Sequence, residues 1–326
     1  MFELAPTYPS RSDLDWCWYL RKQGAMGEAV ERILHDVGVM NPSGWADWQP
    51  STLTNTGAPV AMNFTQDQDA LELTMDVADP AEDPTNRVND VCKIIKRLGG
   101  RRPSDALRDV ISAGQGGAAL RYGARLGIRK SKTDLQTMLY AELPATAADL
   151  SGLMTSVDFN PVLQEMGDAV RTTMLGYNAS TGQVTLYWDF DGTDRSVLSK
   201  LAAPAGVDAN DLSATIDKIA EDTPSTQLPG GKKGFSYATT GANKTPELAL
   251  YFSAQDLFRN DADITQRVRA YGAERFTGYG HLMEILPPAP AGQAHHGLIT
   301  MTGRKNANPT LSVNVAAAYH CPFEAM

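Results

Sequence analysis

The chain has 326 residues, of which 42% are hydrophobic and 21% charged, a balance that excludes disordered and fibrous classes and supplies enough chain for a sizeable core. Its formal net charge of −9 disfavours a phosphate backbone as partner, so no nucleic acid is expected. No run reaches the roughly eighteen apolar residues of a spanning helix, and Met1 to Ser12 lack the order of a secretory signal, so no membrane and a cytoplasmic location are expected.

The first predicted element is an amphipathic helix pair over Leu14 to Met40, bearing Trp16 and Trp18, with Trp45 and Trp48 just beyond. These tryptophans read as packing of helix on sheet or as a lid. Strand-like segments then follow in pairs. Pro59 to Phe64 leads through a turn at Gln66 to Asp69 into Leu71 to Val77, where Leu71, Leu73, Met75 and Val77 alternate with Glu72, Thr74 and Asp76. A period of two makes this a strand with one apolar face. Pro84 opens a helix through Val88, Val91, Ile94, Ile95 and Leu98, which Gly99 and Gly100 end.

The second pair is Ala118 to Arg129 and Leu135 to Leu143, followed by helical pieces at Thr146 to Met154 and Pro161 to Val170. The third is Thr172 to Asn178 and Gln183 to Phe190, joined by a turn rich in Asn, Ser, Thr and Gly, the residues tight hairpins favour. Helices at Arg195 to Leu201 and Asp211 to Glu221 follow. The fourth pair is Gly234 to Thr240 and Glu247 to Ser253, with helices at Asp261 to Ala273 and Gly278 to Leu286. The fifth is His295 to Thr302 and Thr310 to Ala317.

Hairpins separated by helices exclude a parallel α/β fold, in which each strand needs a crossover. An open sheet of ten strands would expose two edges, and closure removes them. The expected fold is α+β: a ten-stranded antiparallel β-barrel of repeated αββα units with helices outside, forming one domain over residues 1–326. A barrel of that size leaves a lumen. The face turned to the helices is apolar, which leaves the inward face free to be polar.

Repeated units closing into such a barrel resemble the aromatic prenyltransferase (PT-barrel, or ABBA) superfamily, and its tryptophan dimethylallyltransferase branch in particular. The matching segments are Gly57-Ala58-Pro59 with Val60 to Phe64, Leu139 to Pro144, Leu175-Gly176-Tyr177 with Thr185-Leu186-Tyr187, Pro246 to Phe252, and His295 to Ile299 with Ser312 to Tyr319. The resemblance implies a lumen that holds an indole and a prenyl diphosphate. Lysines and arginines on successive strands would bind the diphosphate, and tyrosines would shield the allylic cation. This sequence keeps the tyrosines and departs at the cations. Met138 stands two before Tyr140, Thr185 two before Tyr187 with Gln183 beyond it, and Ala249 two before Tyr251. The family's indole-binding glutamate falls near Ala61, and an expected arginine falls among Leu73 to Met75. Arg121, Arg125, Arg129, Lys130 and Lys132 form the basic run that remains, on one predicted strand and its turn; the three arginines share a strand face, which leaves room for a residual anion site against the reading as a solvated strand end.

A buried diphosphate without cations is costly. The expected activity is therefore that of an alkaloid-pathway cyclase: ring closure of an indole-derived intermediate, of carbazole type, started by proton removal and without prenyl transfer. Aromatic prenyl transfer from dimethylallyl diphosphate is the alternative, and a non-catalytic barrel that carries a small aromatic molecule is the second. Strand parity that turns Tyr140, Tyr187 and Tyr251 inward also turns in Glu142, Asp189 and Glu247 as candidate bases. One of His295 and His296 must point in; histidine is the commonest general base, and His296 is favoured slightly over His295. The catalytic candidates are His296, Glu247 and Glu142. The substrate-binding candidates are Asn63, Met138, Tyr140, Gln183, Thr185, Tyr187, Tyr251 and Asn314. The run Asp189, Asp191, Asp194 reads as a polar loop, no metal-ligand spacing occurs, and no cofactor is expected.

The three cysteines, Cys17, Cys92 and Cys321, form no Cys-x-x-Cys pair and read as free thiols of a reducing compartment such as a bacterial cytosol.

Overall fold

The structure is a computed structural model. It describes residues 11–41, 44–144, 162–163, 166–192, 194–220, 227–239, 245–258, 260–289 and 293–316. The expected helix at Thr146 to Met154 and most of the piece at Pro161 to Val170 lie outside them.

Two helices, α1 (Arg11–Lys22) and α2 (Ala25–Val37), precede a small two-stranded ribbon, β1 (Met40–Asn41) with β2 (Gly44–Trp45). Gly24 separates the helices, and Gly38 ends the second with φ of 87°, a left-handed conformation only glycine adopts freely. Trp16 packs edge-on against Trp45 at 5.6 Å, both buried, whereas Trp18 is 43% exposed. The tryptophans therefore split between core packing and surface.

Ten strands then close a barrel by antiparallel pairing in chain order: β3 (Val60–Thr65), β4 (Ala70–Met75), β5 (Ala124–Ser131), β6 (Leu135–Glu142), β7 (Val170–Asn178), β8 (Val184–Phe190), β9 (Lys233–Thr239), β10 (Glu247–Ser253), β11 (His296–Gly303) and β12 (Thr310–Ala316). The last strand pairs with the first, Asn314 opposite Asn63, so no edge is left. The hairpin turns follow local chemistry. Asn178 Oδ1 accepts the backbone N–H of Ser180 and Thr181, and Gly182 takes a positive φ of 74°.

Helices lie between the hairpins: α3 (Arg87–Arg97), α4 (Asp105–Gln115), α5 (Val197–Ala202), α6 (Ala209–Ile219), α7 (Ala254–Leu257), α8 (Asp261–Gly272) and α9 (Tyr279–Ile285). The α3 helix is prepared by Asp83, which accepts from the N–H of Thr85, and by Pro84 in the first position of the turn before it. Helix α4 has its own cap, Ser104 Oγ accepting from the N–H of Leu107, and was not anticipated from the sequence. Strand β5 begins at Ala124 rather than at Ala118.

The hydrophobic core is the shell between barrel and helices. Leu71, Leu73 and Met75 of β4 and Leu126 and Ile128 of β5 are buried there with Val91, Ile94 and Ile95 of α3. Each such side chain contributes about 1.5–3 kcal/mol of burial. The same alternation leaves the other face of every strand to the lumen. Among the described residues, no helix is long and apolar enough to cross a membrane.

Candidate functional site

The register fixes which side chains share the lumen. One row around the wall runs Arg125, Tyr140, Gly176, Thr185, Ala238, Glu247, each opposite the next across adjacent strands. Another runs Asp189, Gly234, Tyr251, Thr300, Ser312, Thr65. The alternate residues point out to the helices: Tyr177 Oη donates to the Arg102 carbonyl, Tyr237 Oη to that of Leu201, and Phe64 packs on Tyr279.

Tyr140, Tyr187 and Tyr251 sit on alternate strands β6, β8 and β10, with ring centroids 6.3 and 6.4 Å apart in succession. The strands between and beside them carry inward glycines. A β-carbon on Gly127 would lie 2.6 Å from Tyr140 Cε2, one on Gly176 would lie 3.2 Å from Tyr187 Cε2, and one on Gly234 would lie 2.3 Å from Tyr251 Oη. Glycine thus lets each ring lie against the wall, and the three form a continuous aromatic belt. Burial pushes Tyr187 up to about 12 and holds Tyr140 and Tyr251 well above the ordinary phenol value. All three remain protonated near neutral pH. Tyr140 Oη donates to Met138 Sδ at 3.3 Å, so Met138 lies beside the belt, as parity predicts.

Three cations stand on the inward face among the described residues: Arg125 and Arg129 on β5, and Arg171 on β7, which lies opposite Asp189 at the barrel's rim, where it is exposed and paired with Asp191. Arg125 Nε lies 3.0 Å from Asp76 Oδ1, its Nη2 donates to Thr52, and its guanidinium covers the Tyr122 ring at 3.9 Å. Arg129 Nε lies 2.8 Å from Glu72 Oε1, and the opposite carboxylate oxygen accepts from Asn63. Arg121 lies in the loop before β5, so the expected three-arginine face is reduced to two. Lys233 is buried but turned outward, its Nζ 5.8 Å from the Phe190 ring. Five carboxylates share the lumen-facing positions: Glu72, Asp76, Glu142, Asp189 and Glu247.

The predicted bases fall in different surroundings. Glu142 accepts the backbone N–H groups of Arg121, Tyr122 and Gly123, which tie the loop before β5 to the end of β6. Glu247 sits at the opposite mouth and pairs with the exposed Arg304. Asp189 has no ion pair among the described residues; its Oδ1 lies 3.1 Å from Tyr251 Oη, whose single proton is shared with the Trp188 carbonyl at 2.8 Å.

Neither histidine points into the lumen, contrary to the parity expectation. A register irregularity between His296 and Ile299 opens the start of β11. His296 turns to the helix layer, where its Nδ1 lies 2.5 Å from Asp261 Oδ1 and its Nε2 2.8 Å from Tyr279 Oη. His295 bonds the carbonyls of Ala316 and Pro287. Burial pushes the Asp261 carboxyl up, but the His296 ring and the backbone N–H groups of His295 and His296 together hold it below the usual carboxylate range. These residues tie α8 and α9 to the barrel. A cleft of about 490 Å³ beside them, lined by Asp261, Thr265, Arg269, Leu286 and His295, lies in the outer layer and away from the belt.

The remaining binding candidates line the lumen. Asn63 donates to Glu72 and Thr65, Asn314 faces it across β12 and β3, Thr185 sits beside Gly176, and Gln183 immediately precedes β8. Of the acidic run, Asp191 pairs with Arg171 and Asp194 caps Ser196 in the solvated loop after β8, whereas Asp189 lies within the strand and beside Tyr251, contrary to its reading as loop. Among the described residues, no group of His, Cys, Asp or Glu is arranged to hold a metal ion. The Glu72–Arg129 and Asp76–Arg125 pairs were missed by sequence reasoning. The signal was the polar alternation in β4 opposite a strand with arginines every fourth residue.

No protein-family model and no curated protein sequence matches the chain. Solved structures do. A 6-dimethylallyl tryptophan synthase aligns with a TM-score of 0.75 at 15% identity, over 97% of this chain and 98% of that one. A 5-dimethylallyl tryptophan synthase from Streptomyces coelicolor, in complex with DMASPP and Trp, gives 0.76 at 12%, over 98% and 97%. The prenyltransferase PriB, in a ternary complex with L-tryptophan and dimethylallyl thiolodiphosphate, gives 0.71 at 14%, over 94% and 96%. The chain has the PT-barrel fold of these aromatic prenyltransferases.

Proposed function

We propose that the chain is an enzyme that encloses a small, indole-sized aromatic molecule in the barrel lumen, against the Tyr140–Tyr187–Tyr251 belt, and closes a ring on it without prenyl transfer. The observation that carries this reading is the charge of the lumen. Its two interior arginines, and Arg171 at the rim, are each committed to a carboxylate, and carboxylates outnumber them. A diphosphate carries about three negative charges, and burying it there would leave them uncompensated.

In this reading Asp189, next to Tyr251, acts as the base. It takes a proton from a carbon acid of the bound molecule. The electron pair attacks a carbonyl carbon of the same molecule, the oxygen takes the proton back, and loss of water completes an aromatic ring of carbazole type. The neutral Tyr187 hydroxyl donates to the developing oxyanion, and the closed lumen excludes water from the intermediate. Glu142 and Glu247 frame the two mouths, and His296 positions the helix layer.

The second reading is aromatic prenyl transfer, and the structural comparisons favour it, because the similar structures are tryptophan prenyltransferases captured with tryptophan and a dimethylallyl diphosphate analogue. Incubating the full chain with L-tryptophan and dimethylallyl diphosphate, with mass spectrometry of the products, separates the two. Ring closure without prenyl transfer expects unchanged tryptophan; a prenylated product replaces that reading with the second.

A further inference from the structure

The lumen has two unlike halves. The half from β5 to β10 carries the tyrosine belt with its three glycines. The half formed by β11, β12, β3 and β4 is polar. Thr300, Ser312, Asn314 and Thr74 face inward there, in register with Tyr251, Thr65, Asn63 and Gly127 respectively. Gly297 makes room for the Asn314 amide, since a β-carbon on it would lie 2.8 Å from Asn314 Oδ1.

None of these four side chains makes a hydrogen bond within the described residues. Asn63 differs: its amide is spent on Glu72 and Thr65. A hydroxyl or amide facing an enclosed lumen is satisfied by water or by a ligand. A ligand that displaces the water without replacing its bonds loses affinity, and one that replaces them gains it. The same logic lets a site built to bond a hydroxyl reject the analogue that lacks one.

We infer that the aromatic molecule carries hydroxyl or carbonyl oxygen along one edge, and that the Thr300–Ser312–Asn314 wall holds this edge while the tyrosine belt takes the ring. The inference rests on the proposed reading of the lumen as an aromatic site. It adds the chemical class: an oxygenated arene rather than an unsubstituted indole. Asn314 supplies both a donor and an acceptor, and the hydroxyls of Ser312 and Thr300 rotate to serve either role. A phenol and a quinone-type carbonyl therefore both fit.

The test is calorimetric titration of the full chain with indole and with 4-, 5-, 6- and 7-hydroxyindole. At least one hydroxyindole should bind about tenfold more tightly than indole, the worth of one or two neutral hydrogen bonds. In S312A/N314A that advantage should fall to about twofold or less. The single variant S312A reads the same effect at smaller amplitude if the double variant does not fold. G176A, which narrows the belt side, should weaken indole and hydroxyindoles alike. Equal binding of all five compounds overturns the inference and leaves the aromatic lumen standing, as does an advantage that survives in S312A/N314A. Absence of any binding, or binding indifferent to G176A, overturns the aromatic lumen and the inference with it.

Discussion

Replacing Gly234 with alanine tests the belt at its tightest point. The new β-carbon would lie 2.3 Å from the Trp188 carbonyl oxygen and 2.3 Å from both Cζ and Oη of Tyr251. One of these neighbours is backbone of an adjacent barrel strand and the other a ring with little room to move, so relaxation of about 1 Å is required. Overpacking of this kind costs about 1–3 kcal/mol. Moving Tyr251 also separates its hydroxyl from Trp188 O and Asp189, and a buried donor left unpaired costs about 1–3 kcal/mol. Together these give a loss of about 2–6 kcal/mol. Backbone propensity works the other way, because alanine in place of glycine at an unstrained position stabilises by about 0.4–1 kcal/mol. Gly176→Ala is the control: its contacts of 3.2 to 3.4 Å need only slight adjustment, and its cost should stay below about 1 kcal/mol. Urea unfolding followed by far-ultraviolet circular dichroism measures both. A Gly234→Ala midpoint equal to or above wild type, or equal losses in the two variants, would refute the close-approach reasoning.

Asp261→Asn should lower stability by about 1–3 kcal/mol at neutral pH, because the carboxylate bonds a fully buried His296. The folded-state value is depressed, so the carboxylate's contribution is full above the ordinary carboxyl range and vanishes as pH falls through that depressed value; urea midpoints for the two proteins should converge in acid, and a constant gap down to pH 2 would contradict this. Arg125→Met should cost about 3–5 kcal/mol, since it strands Asp76 in a buried site, and adding Asp76→Met should recover most of the loss in the same assay. Indole affinity should not vary between pH 6 and 9 through the tyrosines, because burial pushes Tyr187 up to about 12 and holds the other two well above the ordinary phenol value; a fall in affinity over that range in wild type, abolished in Tyr187→Phe, would show an ionising phenol.

The barrel was legible because each strand states its own two faces. Leu71, Leu73 and Met75 against Glu72, Thr74 and Asp76 is a local pattern, and every hairpin carries one. Element ends and helix α4 were less legible. Only Leu107 and Ile111 of α4 are buried, too few to stand out as periodic, although Ser104 offered a cap. Residues 118–123 look strand-like by composition, yet they form the loop that lays Tyr122 on Arg125 and gives its N–H groups to Glu142. That requirement comes from the end of β6 and cannot be seen in the loop itself. The orientation of His296 was hidden for the same reason: its partners Asp261 and Tyr279 belong to helices that reach it only in the folded chain. Tyr140, Tyr187 and Tyr251 were placed by parity alone, whereas the glycines that flatten them and the carboxylates that neutralise Arg125 and Arg129 depend on register between strands.

The charge of the lumen is tested most directly by calorimetric titration of the full chain with dimethylallyl thiolodiphosphate, with and without L-tryptophan. Two arginines already held by Glu72 and Asp76 predict no saturable binding up to millimolar concentration. Stoichiometric binding with a micromolar dissociation constant would contradict that account and make prenyl transfer the function of this barrel.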